Sequence, residues 1–237
     1  MTSLVLTLGA PLQAWGSTSR FTTRATDDAP TRSGIVGLLA AAQGRRRTDS
    51  LEEYVDLQFG VRIDQPGQLL RDFQTARTLD GKDSMPLSYR YYRADARYLA
   101  VVAGPDELLE SLADALRRPV FPLYLGRRSC PPAEPLIPQL VGSTVGEALR
   151  DEPWRAAAWW RRRCGAEPPM LEFRADKGVV PELVVDGETV QRDDPVSFDP
   201  EHRQYGWRTV ELGRVPVPGI GSTPPTSGLG HDAFSAV

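Results

Sequence analysis

The order of apolar segments in the first half of the chain constrains the fold most strongly. Residues 4–8 are short, branched and apolar, which is typical of a buried strand. Residues 35–42 are apolar on nearly every face, and a helix there would start at a cap on Thr31 or Ser33 and stop at Gly44. Because such a helix has no polar face for solvent, it should pack deep in the core.

Further segments repeat this alternation. Strands are predicted at 56–63 and 96–103, a helix after Pro105, and a fourth strand at 120–125. The resulting order of elements is β-α-β-β-α-β, with a long insertion between the second and third strands. We therefore predict an α+β protein with a ferredoxin-like (RRM-like) βαββαβ domain over residues 1–130.

The long insertion, residues 75–94, is too polar to belong to a core. Excursions of this length are usually functional or disordered, so we expect an arm that protrudes from the domain. Residues 131–214 are predicted to form a small β-rich C-terminal extension. Residues 215–237 are rich in Pro, Gly, Ser and Thr and are predicted to be a flexible tail.

The predicted extension contains weaker local signals. A short helix should be capped at Ser143 or Thr144, and another should begin at Trp154. Short strands are expected around residues 171–173, 183–185 and 208–212.

The charge of the chain is unevenly distributed. The formal net charge is −3, yet 26 of the 28 cationic residues are Arg. Residues 1–50 carry six Arg against three Asp, and residues 117–128 carry four Arg and no acid, whereas residues 176–201 are strongly acidic. Arg binds phosphate bidentately and stacks on bases, so this pattern predicts a restricted polyanion-binding face. Plain solvated surface is the alternative.

Composition argues against several other classes of protein. No window approaches the roughly 20 apolar residues that span a bilayer, and the N-terminus lacks the basic region of a secretory signal, so we expect a cytoplasmic protein without membrane contact. Cys130 and Cys164 are far apart and form no CxxC pair, which predicts neither a disulfide nor a zinc site. We expect no metal and no cofactor.

Catalytic motifs are also lacking. The chain has two histidines, His202 and His231, and contains no GxSxG elbow, no HExxH helix and no P-loop. These absences argue against a familiar hydrolase, NTPase or dehydrogenase, and we predict no catalytic residue.

Four loop-like stretches instead offer groups that bind RNA. They comprise an amide and an indole after the first strand, an Arg and a hydroxyl at a helix N-terminus, aromatic residues interleaved with cations, and a tight Gly-Arg-Arg turn. Such groups stack on bases or hold phosphates. The predicted RNA-binding residues are Gln13, Trp15, Arg32, Ser33, Gly34, Tyr89, Arg90, Tyr91, Arg93, Gly126, Arg127 and Arg128.

Each stretch has a purely structural alternative. Trp15 could plug the core, and the residues around Arg32 could form an ordinary helix cap. The Tyr-rich run could alternate between the two faces of a strand, and the Arg pair could simply be solvated.

Several motifs resemble a known family. The sequence is similar to the CasD family of type I-E CRISPR Cascade subunits over about residues 4–132. The motifs that carry the resemblance are GAPLQAWG at 9–16, PTRSG at 30–34 with GLLAA at 37–41, DFQT at 72–75 and YLGRRSCP at 124–131. The resemblance implies a ferredoxin-like RAMP fold with a protruding thumb, which the arm at 75–94 would form. Gln74 replaces the His of the expected Asp-Phe-His-Thr pattern, which further weakens a catalytic interpretation.

The resemblance also implies a function. Such a subunit would hold the 5′ handle of mature CRISPR RNA without catalysis and would contact the backbone subunit and the large subunit of Cascade, and target DNA indirectly. One alternative is a metal-independent endoribonuclease that processes precursor CRISPR RNA, with a Tyr, a Lys or His202 as the base. Another is a protein-interaction scaffold that shows no salt-sensitive RNA binding.

Overall fold

The computed structural model describes residues 1–16, 19–20, 23–165 and 168–218, and its main feature is a seven-stranded antiparallel sheet. The strand order is β11-β12-β10-β5-β8-β1-β9. A smaller sheet contains β2, β3, β4, β6 and β7. The strands are β1 (Ser3–Gly9), β2 (Leu12–Gln13), β3 (Ser19–Arg20), β4 (Thr23–Arg24), β5 (Gln58–Gln65), β6 (Gln68–Gln74), β7 (Ser88–Ala94), β8 (Arg97–Ala103), β9 (Gln139–Val141), β10 (Leu171–Asp176), β11 (Val185–Ser197) and β12 (Gln204–Val215). The helices are α1 (Arg32–Gln43), α2 (Asp106–Arg117), α3 (Val145–Asp151) and α4 (Ala158–Cys164).

Helix α1 begins and ends where its sequence predicts. The Thr31 side chain accepts a hydrogen bond from the Gly34 backbone N–H at 3.2 Å, and Gly44 ends the helix in the left-handed conformation at φ +80°. Seven of the twelve helical residues are buried. The predicted deep packing of this helix is therefore confirmed.

Four neighbouring strands at one end of the large sheet follow the order β9-β1-β8-β5. Helix α1 lies between β1 and β5 in the chain, and α2 lies between β8 and β9. The fourth strand predicted at 120–125 is wrong, because the start of this segment is hydrogen-bonded to the C-terminal end of α1. The Val120 N–H donates to the Ala42 carbonyl at 3.0 Å, and the Phe121 N–H donates to the Ala41 carbonyl at 3.2 Å. The short strand β9 pairs with β1 instead.

The large sheet has a core on each face, because successive residues of a strand point to opposite sides. Leu4, Leu6 and Leu8 of β1 pack with α1 and α2, whereas Val5 packs with Leu149 of α3 on the other face. The sheet therefore forms the middle of three layers.

The predicted polar arm is shorter than expected. Strand β7 occupies the second part of the 75–94 stretch and pairs with β6 along its whole length. Tyr92 of this strand is buried, with 3% of its surface exposed. The exposed loop of the arm comprises only residues 75–87.

The chain beyond residue 131 continues the same sheet. Strand β10 pairs with β5, and β11 and β12 form a hairpin whose strands have 13 and 12 residues, so the short strands predicted there are wrong in length. Helix α3 has the predicted Thr144 cap, but α4 begins at Ala158 and not at Trp154. The Trp154 indole N–H instead donates to the Asp64 carbonyl at 2.8 Å.

The first residues of the predicted tail belong to the folded part of the chain. Val215 and Val217 are 2% and 5% exposed and belong to the second core. Residues 219–237 of the predicted tail lie outside the described residues. No helix in the described part of the chain is long and apolar enough to cross a membrane.

Candidate nucleic-acid interface

Arg32, predicted to bind phosphate, lies in a buried ion cluster. Its guanidinium contacts the carboxylates of Asp176 at 2.8 Å and Asp194 at 2.9 Å, and its backbone N–H donates to Asp193 at 2.8 Å. Arg208 contacts the same Asp193 at 2.7 Å and Asp176 at 2.5 Å. A carboxylate of the protein therefore already bonds to the N-terminus of α1, and the expectation of a free phosphate site at Arg32 is wrong.

The ion cluster also joins two parts of the fold. Asp193 belongs to β11 and Arg208 to β12, whereas Arg32 opens α1. Burial disfavours the Arg208 cation, but its hydrogen bonds and ion pairs with Asp193 and Asp176 outweigh that effect and raise its pKa. The Arg208 cation and its carboxylate partners therefore hold the C-terminal hairpin against α1. We call Arg32, Asp176, Asp193, Asp194 and Arg208 the clamp.

Gln13 and Trp15 are core residues. Gln13 is fully buried and its amide donates to the Ala96 carbonyl at 2.8 Å, while the Trp15 indole N–H donates to the Gln13 side-chain oxygen at 3.0 Å. Trp15 is 1% exposed. The exposed indole expected for base stacking is therefore wrong, and the core-plug alternative is confirmed.

Three of the four aromatic and cationic residues predicted on β7 are only half-buried, and none of them lines a cavity described below. Tyr89 is 36% exposed and lies under the Arg71 guanidinium, whereas Arg93 donates to the Asp27 carbonyl at 3.3 Å. Arg90 and Tyr91 are half-buried on the same strand. The structure thus places this run on the small sheet, where an RNA contact stays a prediction.

The two arginines of the Gly-Arg-Arg turn differ in their contacts and in their exposure. Gly126 has φ +88°, and a Cβ there would lie 1.7 Å from the Ala14 carbonyl oxygen. Arg127 donates to the carbonyls of Tyr91 at 3.0 Å and Arg24 at 2.9 Å, so it ties the turn to the small sheet. Arg128 is exposed and lines the cavity described next.

Two adjoining cavities form a groove along α1, between the Gly-Arg-Arg turn and the C-terminal hairpin. They enclose about 780 Å³ and about 660 Å³. Both are lined by Ser33, Gly34, Gly126, Arg203 and Tyr205, so they are parts of one groove. The structure brings several of the predicted binding residues together here. Besides the buried Trp15, they are Ser33, Gly34, Gly126, Arg127 and Arg128.

The groove lining is rich in cations. No Asp or Glu lines it among the described residues. In the described part of the chain, Arg45 is the groove arginine that forms an ion pair, and its partner is Glu53. A cleft of one charge sign with packed walls focuses its field on a ligand of opposite sign. The groove arginines are Arg24, Arg45, Arg46, Arg47, Arg127, Arg128, Arg192 and Arg203.

Aromatic side chains line the groove together with these cations. Phe121, Tyr124 and Phe198 line the larger cavity, Trp207 lines the smaller one, and Tyr205 lines both. Trp207 is 67% exposed. A cationic groove that also carries aromatic rings has the composition that binds single-stranded nucleic acid.

Sequence reasoning missed much of this groove. The three consecutive arginines at 45–47 follow the predicted helix stop and were a detectable signal. The contribution of the hairpin had no local signal, because Arg192, Arg203 and Trp207 reach the groove only through the pairing of β12 with β10.

The described residues show no arrangement suited to metal chemistry. No group of three or more His, Cys, Asp or Glu side chains that could hold a metal ion occurs among them. His202 is exposed and contacts the Gln204 side chain. Burial raises the pKa of the Cys130 thiol, although the neighbouring Ser129 and Arg127 oppose this effect.

The fold and the groove define a mixed α/β protein with a large antiparallel sheet and a positively charged cleft. A family model described as "CRISPR-associated protein (Cas_Cas5)" matches residues 3–211. The chain therefore belongs to this family of CRISPR-associated proteins.

Individual relatives agree with this assignment. The Cascade subunit CasD of Escherichia coli strain K12 is 35% identical over 155 residues, which cover 56% of this chain and 69% of the relative. A chain of the solved structure "CRISPR RNA-guided surveillance complex" is 32% identical with a TM-score of 0.72, covering 92% of this chain and 94% of that chain. The structure "Crystal structure of Cas protein" is 34% identical with a TM-score of 0.69, covering 91% and 97%. The resemblance to the CasD family is thus confirmed.

Proposed function

We propose that this protein is the Cascade subunit that binds the 5′ handle of mature CRISPR RNA, and that the arginine groove is its RNA site. The observation that carries this proposal is a groove lined by eight arginines and, within the described residues, by no carboxylate. The family match and the CasD relative support the setting in a CRISPR complex. The RNA would be held single-stranded, because arginine forks contact phosphates while aromatic rings remain available to unpaired bases.

The dimensions of the groove agree with this ligand. Each cavity lies within the roughly 300–1,000 Å³ typical of pockets that bind drug-sized ligands, and the two adjoin, with volumes of about 780 Å³ and about 660 Å³. Successive nucleotides of one strand could therefore occupy successive parts of the groove. Phosphate contacts would supply most of the affinity and make it depend on salt.

We further infer that β1, β5, β8 and β9 with α1 and α2 are a ferredoxin-like unit. The sheet order β9-β1-β8-β5 and the two crossing helices support this inference. The β6–β7 hairpin with the exposed loop 75–87 would be the thumb. The partners would be the backbone subunit and the large subunit of a cytoplasmic Cascade complex, with target DNA contacted indirectly.

We propose that the protein does not cleave RNA. Metal-independent cleavage needs a base for the 2′-OH and a group that stabilises developing charge. Among the described residues, the groove lining supplies the second requirement through arginine. It contains no His, Lys, Asp or Glu, so the candidates for the base there are the hydroxyls of Tyr124 and Tyr205. Purified protein incubated with a hairpin-containing CRISPR repeat RNA should therefore leave the RNA intact. Cleavage at one position that is lost on replacing a single Tyr, a single Lys or His202 would favour the processing-endonuclease alternative.

The binding claim is tested by removing two exposed groove cations, Arg128 and Arg203. Neither takes part in an ion pair between described residues, so R128A/R203A should fold normally. It should weaken binding of handle RNA and lower the slope of log K against log salt by about 1.4, at roughly 0.7 per phosphate contact.

The matched control replaces Arg161 and Arg162, which are exposed on α4 and do not line the groove. R161A/R162A should leave the affinity and the slope close to those of the wild type. Equal losses in both double variants would mean that the RNA binds any cationic surface of the protein, and an unchanged R128A/R203A would remove the groove from the RNA site.

A further inference from the structure

The C-terminal hairpin contains a β-bulge next to two groove residues, Arg192 and Trp207. The register of β11 against β12 shifts between Gln191 and Asp194, so Arg192 and Asp193 together lie opposite Trp207. Bulges of this kind leave one residue unpaired and redirect its side chain, and they are common near functional sites.

The two bulge residues have opposite environments. Asp193 is fully buried and belongs to the clamp, whereas Arg192 is exposed. The Arg192 guanidinium donates to the Tyr205 carbonyl at 3.3 Å and lies 6.0 Å from the centre of the Trp207 ring. The bulge therefore places the exposed Arg192 cation beside the exposed Trp207 indole. Its buried residue, Asp193, holds the strand through the clamp.

This pair belongs to the groove. Arg192 and Trp207 line the smaller cavity together with Arg24, Arg127 and Arg203. Trp207 is 67% exposed although it lies on a regular strand. Because the clamp holds that strand against α1, a ligand that contacts the indole would order few additional groups, and such a preformed surface binds at low entropic cost.

We propose that Trp207 with Arg192 is the stacking site for one unpaired base of the RNA in the groove. This inference rests on the proposed function and adds a specific base contact to it. An indole face accepts any base, and the guanidinium beside it adds a cation–π contribution. A phosphate alone would gain little from the uncharged ring, so the chemistry of the pair favours a base.

The size of the effect follows from known stacking energies. Removing one stacked aromatic residue weakens single-strand binding by about 5- to 140-fold. The loss should be the same at low and high salt, because no phosphate contact is removed. This independence from salt separates the stacking role from the arginine contacts.

The experiment compares W207A and W207F with the control W159A. Trp159 is 44% exposed on α4 and does not line the groove. The probes are a single-stranded RNA with the handle sequence and a set of the same oligonucleotide with one abasic position each. W207A should weaken binding of the intact RNA by about 5- to 140-fold with an unchanged salt slope. W207F should retain part of the affinity, W159A should bind like the wild type, and all four proteins should melt alike.

The abasic probes identify the stacked base. At one position, removal of the base should weaken wild-type binding as much as W207A does, and W207A should lose nothing further there, which is the signature of a shared contact. Wild-type affinity in W207A, or losses that add at every abasic position, would overturn the stacking site while leaving the proposed function intact. Absence of salt-dependent RNA binding by the wild type would overturn the proposed function and this inference together.

Discussion

Replacing Asp193 by Ala should destabilise the protein more than any exposed charge replacement. Asp193 is fully buried and accepts three hydrogen bonds, from the Arg32 backbone N–H at 2.8 Å and from two Arg208 nitrogens at 2.7 and 2.9 Å. Removing one partner of a buried ion pair typically costs about 3–5 kcal/mol, because the other charge stays buried. Arg208 keeps its contact with Asp176 at 2.5 Å, which should place the cost near the lower end of this range.

This cost should be visible in thermal unfolding. For a chain of this size, each kcal/mol shifts Tm by about 2–4 °C, so a cost of about 3 kcal/mol should make D193A melt about 6–12 °C below the wild type. The control is D186A, which breaks the Asp186–Arg214 pair, whose side chains are 46% and 59% exposed. Exposed pairs contribute at most about 1 kcal/mol, so the control should change Tm by less than about 4 °C.

A second measurement locates the damage. Amide hydrogen exchange in D193A should accelerate first in β11 and β12, because the clamp holds this hairpin to α1. Equal melting temperatures for D193A and D186A would refute the argument that the clamp fixes the hairpin. Uniform acceleration of exchange over the whole sheet would also contradict it.

Three further predictions concern other parts of the fold. Gly126→Ala should destabilise the protein by several kcal/mol more than Gly81→Ala in urea unfolding. Both glycines have positive φ, which alone costs an alanine about 1–2 kcal/mol. A Cβ at Gly126 would also lie 1.7 Å from a backbone carbonyl oxygen, whereas a Cβ at Gly81 would meet nothing within 4 Å. Equal costs would contradict this. Replacing the exposed residues 79–86 with a short Gly/Ser linker should change Tm by only a few degrees, and an insoluble product would show that the loop belongs to the core. Cys130 is buried with a raised pKa, so its thiolate is scarcer at neutral pH and it should react with a thiol reagent far more slowly than Cys164; two equally fast thiols in the native protein would contradict this.

Local patterns predicted the elements whose cause is local. The cap at Thr31, the left-handed Gly44 and the apolar faces between them determine α1 without reference to the rest of the chain. The capping box at Thr144 likewise starts α3. The error at 120–125 has a different origin, since an apolar run can pack along a helix end as well as in a sheet, and Pro122 has no N–H to donate to a ladder.

The candidate site was harder to predict because its residues interact over long sequence separations. Arg32 follows the helix cap as a phosphate ligand would, but Asp176 and Asp193 bind it from 144 and 161 residues away. The indole of Trp15 points into the core because the buried Gln13 amide accepts its N–H. Only the pairing of the C-terminal strands brings Arg203 to the groove, and no local pattern reports such pairing.

The most direct test of the account is photocrosslinking of handle RNA to the protein. A handle RNA carrying a photoreactive uridine at each position in turn would be crosslinked to the purified protein, and the modified peptides would be mapped by mass spectrometry. We expect crosslinks in residues 33–47, 121–131 and 192–207, which line the groove, and their loss in R128A/R203A. Crosslinks confined to the loop 75–87 or to α4, with the groove peptides unmodified, would contradict the assignment of the arginine groove as the RNA site.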